Sequence, residues 1–193
     1  GRQWYNSGKL LQKKNSFLDF IACTEFLHKE GYSSPEYTFA DGASAGGLLV
    51  GAVSNFRPEL FAGIIAEVPF VDIVTTMSDE SIPLTTGEYD EWGNPTESME
   101  AYEYMLSYSP VDNISEADYP AMYVFTGVND SQVGYWEPAK WVAGIRRANT
   151  GDSPVLLRVN MGAGHGGSSG RYGWLGEMAE KYAFILREAG ITL

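Results

Sequence analysis

Three observations predict an α/β fold with a mostly parallel sheet flanked by helices. Short runs rich in β-branched and aromatic residues recur at 37–40, 63–68, 121–126 and 155–159, with stretches of helical periodicity between and beside them. Where the first run gives way to a helix stands the pentapeptide Gly42-Ala43-Ser44-Ala45-Gly46. The loops closing the third and fourth runs carry an acid and a histidine. Strands that alternate with helices build a parallel sheet, whose ligands gather at the carboxyl ends of the strands.

Taken in order, Asn15-Ser16 reads as a helix N-cap. Phe17, Phe20, Ile21, Thr24 and Leu27 then recur at helical spacing up to Gly31, a natural C-cap. The strand at 37–40 follows, then the serine turn, then a helix of small residues to about residue 55. The second strand is expected at 63–68, the third at 121–126 and the fourth at 155–159, with a helix at 136–147 before the last. A final helix spans 173–189 and is closed by Gly190. Residues 72–110 break this rhythm with acids, aromatics and prolines at 83, 95 and 110. They read as an insert over the active-site edge of the sheet, helical at 97–106.

Composition narrows the function classes. A chain of 193 residues is long enough for one domain with a core, and 44% hydrophobic residues mark it as globular, not disordered. No apolar run approaches the roughly 20 residues of a membrane span, so no membrane partner is expected. The start, Gly1-Arg2-Gln3-Trp4-Tyr5, lacks the apolar core of a signal peptide. The single cysteine, Cys23, excludes an internal disulfide and fits a cytoplasmic location. With 13 basic against 25 acidic residues, the net charge of −12 argues against a nucleic-acid partner, which demands a basic footprint. Two histidines and one cysteine offer no metal-ligand spacing. The glycines at 162–170 follow the last strand instead of opening a helix after the first, so no phosphate loop and no cofactor are expected.

The pentapeptide fits G-x-S-x-G, in which a sharp strand-to-helix turn pushes the serine hydroxyl out toward substrate and base. Small neighbours are needed because strand and helix pass close together there. The start of the following helix leaves backbone N–H groups free to face a developing oxyanion. An alcohol needs a base, and the base an orienting carboxylate. His28 lies upstream near the end of the first helix, suited to a surface or dipole-compensating role. His165, in Gly162-Ala163-Gly164-His165-Gly166-Gly167, sits in a loop that glycines on both sides free to reach over the sheet edge. Asp130 closes Thr126-Gly127-Val128-Asn129-Asp130 after the third strand, whereas Asp112, Asp118 and Asp152 precede strands and fall at the wrong ends. Serine, acid and base at three strand ends, in the order Ser44, Asp130, His165, match the α/β-hydrolase order.

These residues resemble the catalytic domain of the oligopeptidase B group in the prolyl oligopeptidase family of serine peptidases, nearly end to end. The resemblance is carried by Ser44 with Gly46-Gly47, by Asn129-Asp130-Ser131-Gln132-Val133 and by Gly164-His165-Gly166-Gly167. It also rests on Val68-Pro69-Phe70-Val71-Asp72, Pro83-Leu84-Thr85-Thr86-Gly87-Glu88, Glu91-Trp92-Gly93-Asn94-Pro95 and Tyr135-Trp136-Glu137-Pro138. It implies cleavage of short peptides after Arg or Lys, with Ser44 as nucleophile, His165 as base, Asp130 as its orienter and Ala45 as an oxyanion donor. Carried over by position, Glu88 and Asp90 would meet the basic P1 side chain. By themselves these two and Glu91 also fit a solvated acidic loop. Two positions depart from the family: Ala43 stands where glycine is expected, and Asp90 is a shorter arm than the usual glutamate. The resemblance implies further that a tyrosine hydroxyl from outside this chain completes the oxyanion hole. A β-propeller and the first strands of the hydrolase sheet are likewise expected from elsewhere, or from another chain that completes the sheet. A carboxylesterase or acylaminoacyl peptidase of the same fold is the alternative, opposed by the acidic insert and the Asp-Ser-Gln-Val run. A fragment inactive without its partner segment is another.

Overall fold

The computed structural model describes residues 1–191. In chain order, α1 (Arg2–Asn6) and α2 (Lys14–Lys29) lead to β1 (Phe39–Ala43), α3 (Ala45–Phe56) and β2 (Gly63–Glu67). Three short helices follow, α4 (Ile73–Met77), α5 (Tyr89–Trp92) and α6 (Met99–Leu106). Then come β3 (Ala121–Gly127), α7 (Trp136–Ala148), β4 (Val155–Asn160) and α8 (Gly173–Glu188). The strands form one parallel sheet in the order β1-β2-β3-β4. Right-handed crossovers between sequential neighbours all arrive on the same face, so α3 and α7 share a side.

Side-chain alternation along the strands divides the apolar residues into two cores. Ile64, Ala66, Met122 and Val124 meet Phe17 and Ile21 of α2, Leu48 and Val53 of α3, and Trp141 and Ile145 of α7. Ile65, Tyr123 and Phe125 point the other way, onto Phe184 of α8. The first core is much the larger, and each fully buried side chain in it contributes about 1.5–3 kcal/mol of transfer free energy. All seven residues of β3 are buried, as a central parallel strand requires. β1 is an edge, and among the described residues no strand pairs with its outer side.

Several boundaries differ from the sequence expectation for identifiable reasons. β1 starts two residues later than 37 because Pro35–Tyr37 forms a 3-10 turn, and it runs on to the residue before Ser44. β2 stops at Glu67 because Val68 turns to a φ of +42°, outside the strand region. α2 begins at Lys14, one turn-position earlier, since Asn15 and Ser16 do not cap it. Their side chains donate back to the carbonyls of Ser7 and Gly8 at 2.8 and 3.4 Å, tying α2 to the turn after α1. At the other end Gly31 adopts φ +75°, and Tyr32 N–H and Gly31 N–H reach the carbonyls of Leu27 and His28, both at 3.0 Å. That pair of hydrogen bonds is the glycine-terminated helix end expected there. In the 72–110 stretch, α6 begins at Met99 because Ser98 is its cap, accepting from Ala101 N–H at 3.2 Å.

Candidate active site

Ser44 separates β1 from α3 with φ +56° and ψ −117°, a conformation that costs a non-glycine residue on the order of 1–3 kcal/mol. The surroundings hold it there. Its N–H donates to Glu67 O at 2.9 Å, and its carbonyl accepts from Phe70 N–H at 3.1 Å. Neighbouring glycines give the necessary room: a Cβ on Gly42 would lie 2.2 Å from Gly46 O, and one on Gly47 only 2.4 Å from Pro69 Cβ. Gly46, by contrast, faces open space, so the steric demand falls on Gly42 and Gly47 and not on the motif's last glycine. Val68, strained at φ +42°, packs beside the elbow, a feature that no signal in the sequence marks. The Ser44 hydroxyl makes no capping bond to α3, which leaves it free to act. Ala45 is the first residue of α3, so its N–H has no intrahelical acceptor and is available to an oxyanion.

Asp130 follows β3, and its side chain is completely buried. Its Oδ1 accepts from Gln132 N–H and Val133 N–H, each at 2.9 Å, which fixes the carboxylate plane. Its Oδ2 lies 2.8 Å from His165 Nδ1. The histidine loop leans back over β3, since Val128 N–H donates to Asn160 O and Asn129 N–H to Ala163 O, both at 3.0 Å. Glu177 of α8 fastens the far side of that loop. It accepts from Ser168 Oγ at 2.6 Å, from Ser168 N–H at 3.2 Å and from Asn160 Nδ2 at 2.9 Å. Burial works against its charge, but these donors hold the Glu177 carboxyl below its ordinary range. His165 and Ala43, the residue before Ser44, line one cavity of about 220 Å³. No hydrogen bond joins His165 to Ser44 among the described residues. His28 sits at the opposite end of β1, with Nε2 2.8 Å from Thr38 Oγ1, away from this chemistry. Asp112 is engaged by Ser109 Oγ at 2.6 Å.

A second cavity, of about 390 Å³, opens at Ser44 and Ala45 and runs under the insert. Glu88, Asp90 and Glu91 all line it. Glu88 is half-buried and accepts from Trp92 Nε1 at 2.6 Å, while Asp90 is exposed. Glu91 pairs with Lys13 at 2.9 Å. Burial opposes the Glu91 charge, yet Lys13 and Tyr5 hold its carboxyl below the usual range.

Glu137, in the first turn of α7, has no exposed surface at all. Its Oε2 accepts from Val71 N–H at 3.0 Å and Asp72 N–H at 2.9 Å, and its Oε1 from Thr76 Oγ1 at 2.5 Å. Thr76 lines the cavity at Ser44, and Thr85 Oγ1 donates to its carbonyl at 2.9 Å. Glu137 therefore holds one wall of the cavity in place. Sequence reading missed this role, as it missed Lys13, because a glutamate in a helix's first turn ordinarily faces water. Among the described residues no group of three or more His, Cys, Asp or Glu side chains is placed to hold a metal, and no helix is long and apolar enough to cross a membrane.

Comparison with known proteins adds an independent finding. The model of the prolyl oligopeptidase family matches residues 1–192. Dipeptidyl aminopeptidase BI of Pseudoxanthomonas mexicana is 58% identical over 192 residues, which cover 100% of this chain and 26% of that protein. Protease 2 of Moraxella lacunata is 56% identical over 99% of this chain and 28% of its own length. Among solved structures, oligopeptidase B from Trypanosoma brucei with covalently bound antipain superposes with a TM-score of 0.96 at 49% identity. That match covers 100% of this chain and 27% of the other. The chain thus spans about a quarter of the length of the relatives it matches.

Proposed function

Since the chain belongs to the prolyl oligopeptidase family, we propose that it carries the catalytic centre of a serine oligopeptidase that cleaves short peptides after Arg or Lys. The observation that carries this reading is the 2.8 Å contact between His165 Nδ1 and the buried Asp130 carboxylate, together with a serine held in a strained elbow. Asp130 accepts a hydrogen bond from His165 Nδ1–H, which keeps that proton on Nδ1 and leaves Nε2 free to accept another. Ser44 Oγ attacks the scissile carbonyl as its proton passes to His165 Nε2. The tetrahedral oxyanion meets the N–H of Ala45. His165 then protonates the leaving amine, and water hydrolyses the acyl-enzyme by the same proton route in reverse.

The basic specificity is supported by Glu88 and Asp90, which line the cavity that opens at Ser44. A carboxylate pair suits a guanidinium or ammonium through charge-assisted hydrogen bonds. Glu88 has one oxygen committed to Trp92 and one left for a ligand. The open outer edge of β1 supports a further inference, that additional polypeptide pairs there and supplies the second oxyanion donor, as the family resemblance implies.

The test uses the protein at its full natural length. Amide substrates with Arg, Lys or norleucine at P1 are compared with a short-chain ester, and a fluorophosphonate probe is applied to wild type and Ser44→Ala. Turnover of the Arg and Lys amides, with labelling lost in Ser44→Ala, is expected. Preference for the ester or for norleucine sinks the basic-residue reading. Labelling that survives in Ser44→Ala sinks the assignment of the nucleophile.

A further inference from the structure

Among the described residues Lys13 is the one cation lining the cavity at Ser44, and the mechanism above uses neither it nor its partner Glu91. It stands at the entry to α2, half-buried, and its side chain is only 15% exposed. Its ammonium lies 2.9 Å from Glu91 Oε1 and 4.4 Å from the centre of the Trp92 ring. The same indole donates its N–H to Glu88 at 2.6 Å. One tryptophan therefore carries a cation on its face and a carboxylate on its edge, and all of these groups line the same cavity with Asp90.

An ammonium resting on an indole face against a carboxylate is the arrangement with which proteins capture an external cation. Here the position is filled from within. Glu88, Asp90 and Glu91 would offer three negative charges to an incoming basic side chain, but Lys13 neutralises one and covers the π-face beside it. Tyr5 also lines the cavity. Two other cations lie over Tyr5 instead: Lys9 is 5.0 Å and Arg2 5.5 Å from that ring.

We propose that Lys13 is a specificity-determining residue, a built-in counter-ion that takes Glu91 and the Trp92 face out of play and directs a substrate's basic side chain to Glu88 and Asp90. The proposal rests on the reading of this cavity as a site for a basic P1 side chain. The grip on substrate is then set by the two remaining carboxylates, and it can be altered without touching either.

The experiment compares Lys13→Met, Lys13→Arg, Glu91→Gln and the double variant Lys13→Met/Glu91→Gln in the protein at its full natural length. Readouts are KM and kcat for P1-Arg and P1-norleucine amides, and competitive inhibition by agmatine as a free guanidinium probe. Lys13→Met is expected to lower KM for the Arg substrate and Ki for agmatine by about three- to tenfold, the effect of one partly screened charge a few ångström away. Glu91→Gln frees the lysine to compete for Glu88 and Asp90, so it should raise both constants by a similar factor. The double variant restores the charge balance and should return to within about twofold of wild type, and Lys13→Arg should stay there as well. A prop that merely holds α2 against the insert would behave otherwise. Lys13→Met would then raise KM for the Arg and norleucine substrates alike, and Glu91→Gln would not compensate it, which overturns the proposal. Unchanged constants in Lys13→Met overturn it too. If wild type itself shows no preference for Arg over norleucine, the basic-P1 reading fails and this inference falls with it. A strong wild-type preference that Lys13→Met leaves untouched overturns the inference alone.

Discussion

Replacing Glu137 removes the buried carboxyl from which one wall of the cavity at Ser44 hangs. Its carboxylate takes two backbone N–H groups and one hydroxyl at a position with no exposed surface. In Glu137→Ala the N–H groups of Val71 and Asp72 lose their acceptor, at about 1–3 kcal/mol each. The space vacated by the side chain adds a cavity term. The total destabilisation is expected at about 3–5 kcal/mol. Glu137→Gln keeps the shape: its amide oxygen can accept both N–H groups and its amide nitrogen can donate to Thr76 Oγ1. That change should cost no more than about 1 kcal/mol at acidic pH.

The two variants also separate charge from shape. Burial, aided by the Asp72 charge and opposed by Thr76 and the two backbone donors, pushes the Glu137 carboxyl up to about 7 from an ordinary 4.5. Lys140 pairs with Asp72 and offsets part of that repulsion. A carboxyl whose pKa is raised on folding holds its proton more tightly in the native state than in the unfolded chain. Its contribution to stability is therefore complete below about 4.5 and is lost as pH rises toward about 7, a span worth about 3 kcal/mol. Glutamine has no proton to lose, so Glu137→Gln should gain on wild type across that window. The assay is thermal unfolding of both proteins between pH 4.5 and 8, with amide hydrogen exchange at Val71 and Asp72 as the local probe. Those two amides should stay protected in Glu137→Gln and exchange freely in Glu137→Ala. A difference between wild type and Glu137→Gln that stays flat with pH would refute the argument, because the three donors would then fully offset burial.

Three further outcomes follow from the same geometry. Asp130→Asn keeps the two backbone bonds to its oxygen but turns an amide N–H₂ toward His165 Nδ1, which forces the wrong tautomer; kcat for a P1-Arg amide should fall by about 10³–10⁴-fold with the thermal midpoint nearly unchanged. Gly47→Ala brings a methyl to 2.4 Å from Pro69 Cβ and should cost about 1–3 kcal/mol, whereas Gly46→Ala meets open space and should be neutral or stabilising in thermal unfolding; the reverse ranking would show the packing argument to be mistaken. Glu177→Ala frees the histidine loop from α8 and should lower kcat by about 10- to 100-fold with little change in KM, as steady-state kinetics on the same amide will show; an effect confined to KM would assign Glu177 to substrate binding instead.

How far the sequence could be read depended on whether a signal was local. The parallel sheet, α3, α7 and α8 follow from hydrophobic period and glycine stops, and they lie within a residue or two of where the pattern puts them. The placement of Ser44, Asp130 and His165, the residues proposed for the chemistry, is legible because each ends or follows a strand, and strand ends in a parallel sheet share one edge. Other features depend on contacts between distant segments. The 3-10 turn at Pro35–Tyr37 delays β1, and Asn15 and Ser16 bond backward to the turn after α1 instead of capping α2. Val68 turns to a positive φ at the end of β2, and a β-branched residue before proline gives no warning of it. Lys13 and Glu137 each act across more than sixty residues of sequence, on Glu91 and on Val71 to Thr76. No window of neighbouring residues contains both partners.

The residues proposed for chemistry and those proposed for specificity are held by different forces. Ser44 and Asp130 are anchored in the sheet: Ser44 by backbone bonds to Glu67 and Phe70, Asp130 by the turn at the end of a fully buried strand. Displacing them means disrupting the main core. The insert that carries the cavity wall is built of short helices, none longer than eight residues, too short to be stable alone. Much of its polar anchoring runs through a few side chains: Glu137 to α4, Thr85 to Thr76, Trp92 to Glu88 and Lys13 to Glu91. Losing one such tether costs far less than losing a buried strand. Substitutions in the insert can therefore change which side chain is gripped, and how tightly, while Ser44, Asp130 and His165 keep their geometry. On the proposed reading, an aspartate at position 90 where the family resemblance implies a glutamate is a change of that kind: Asp90 is exposed at the cavity, where one fewer methylene shifts the reach of a carboxylate and leaves the sheet as it was.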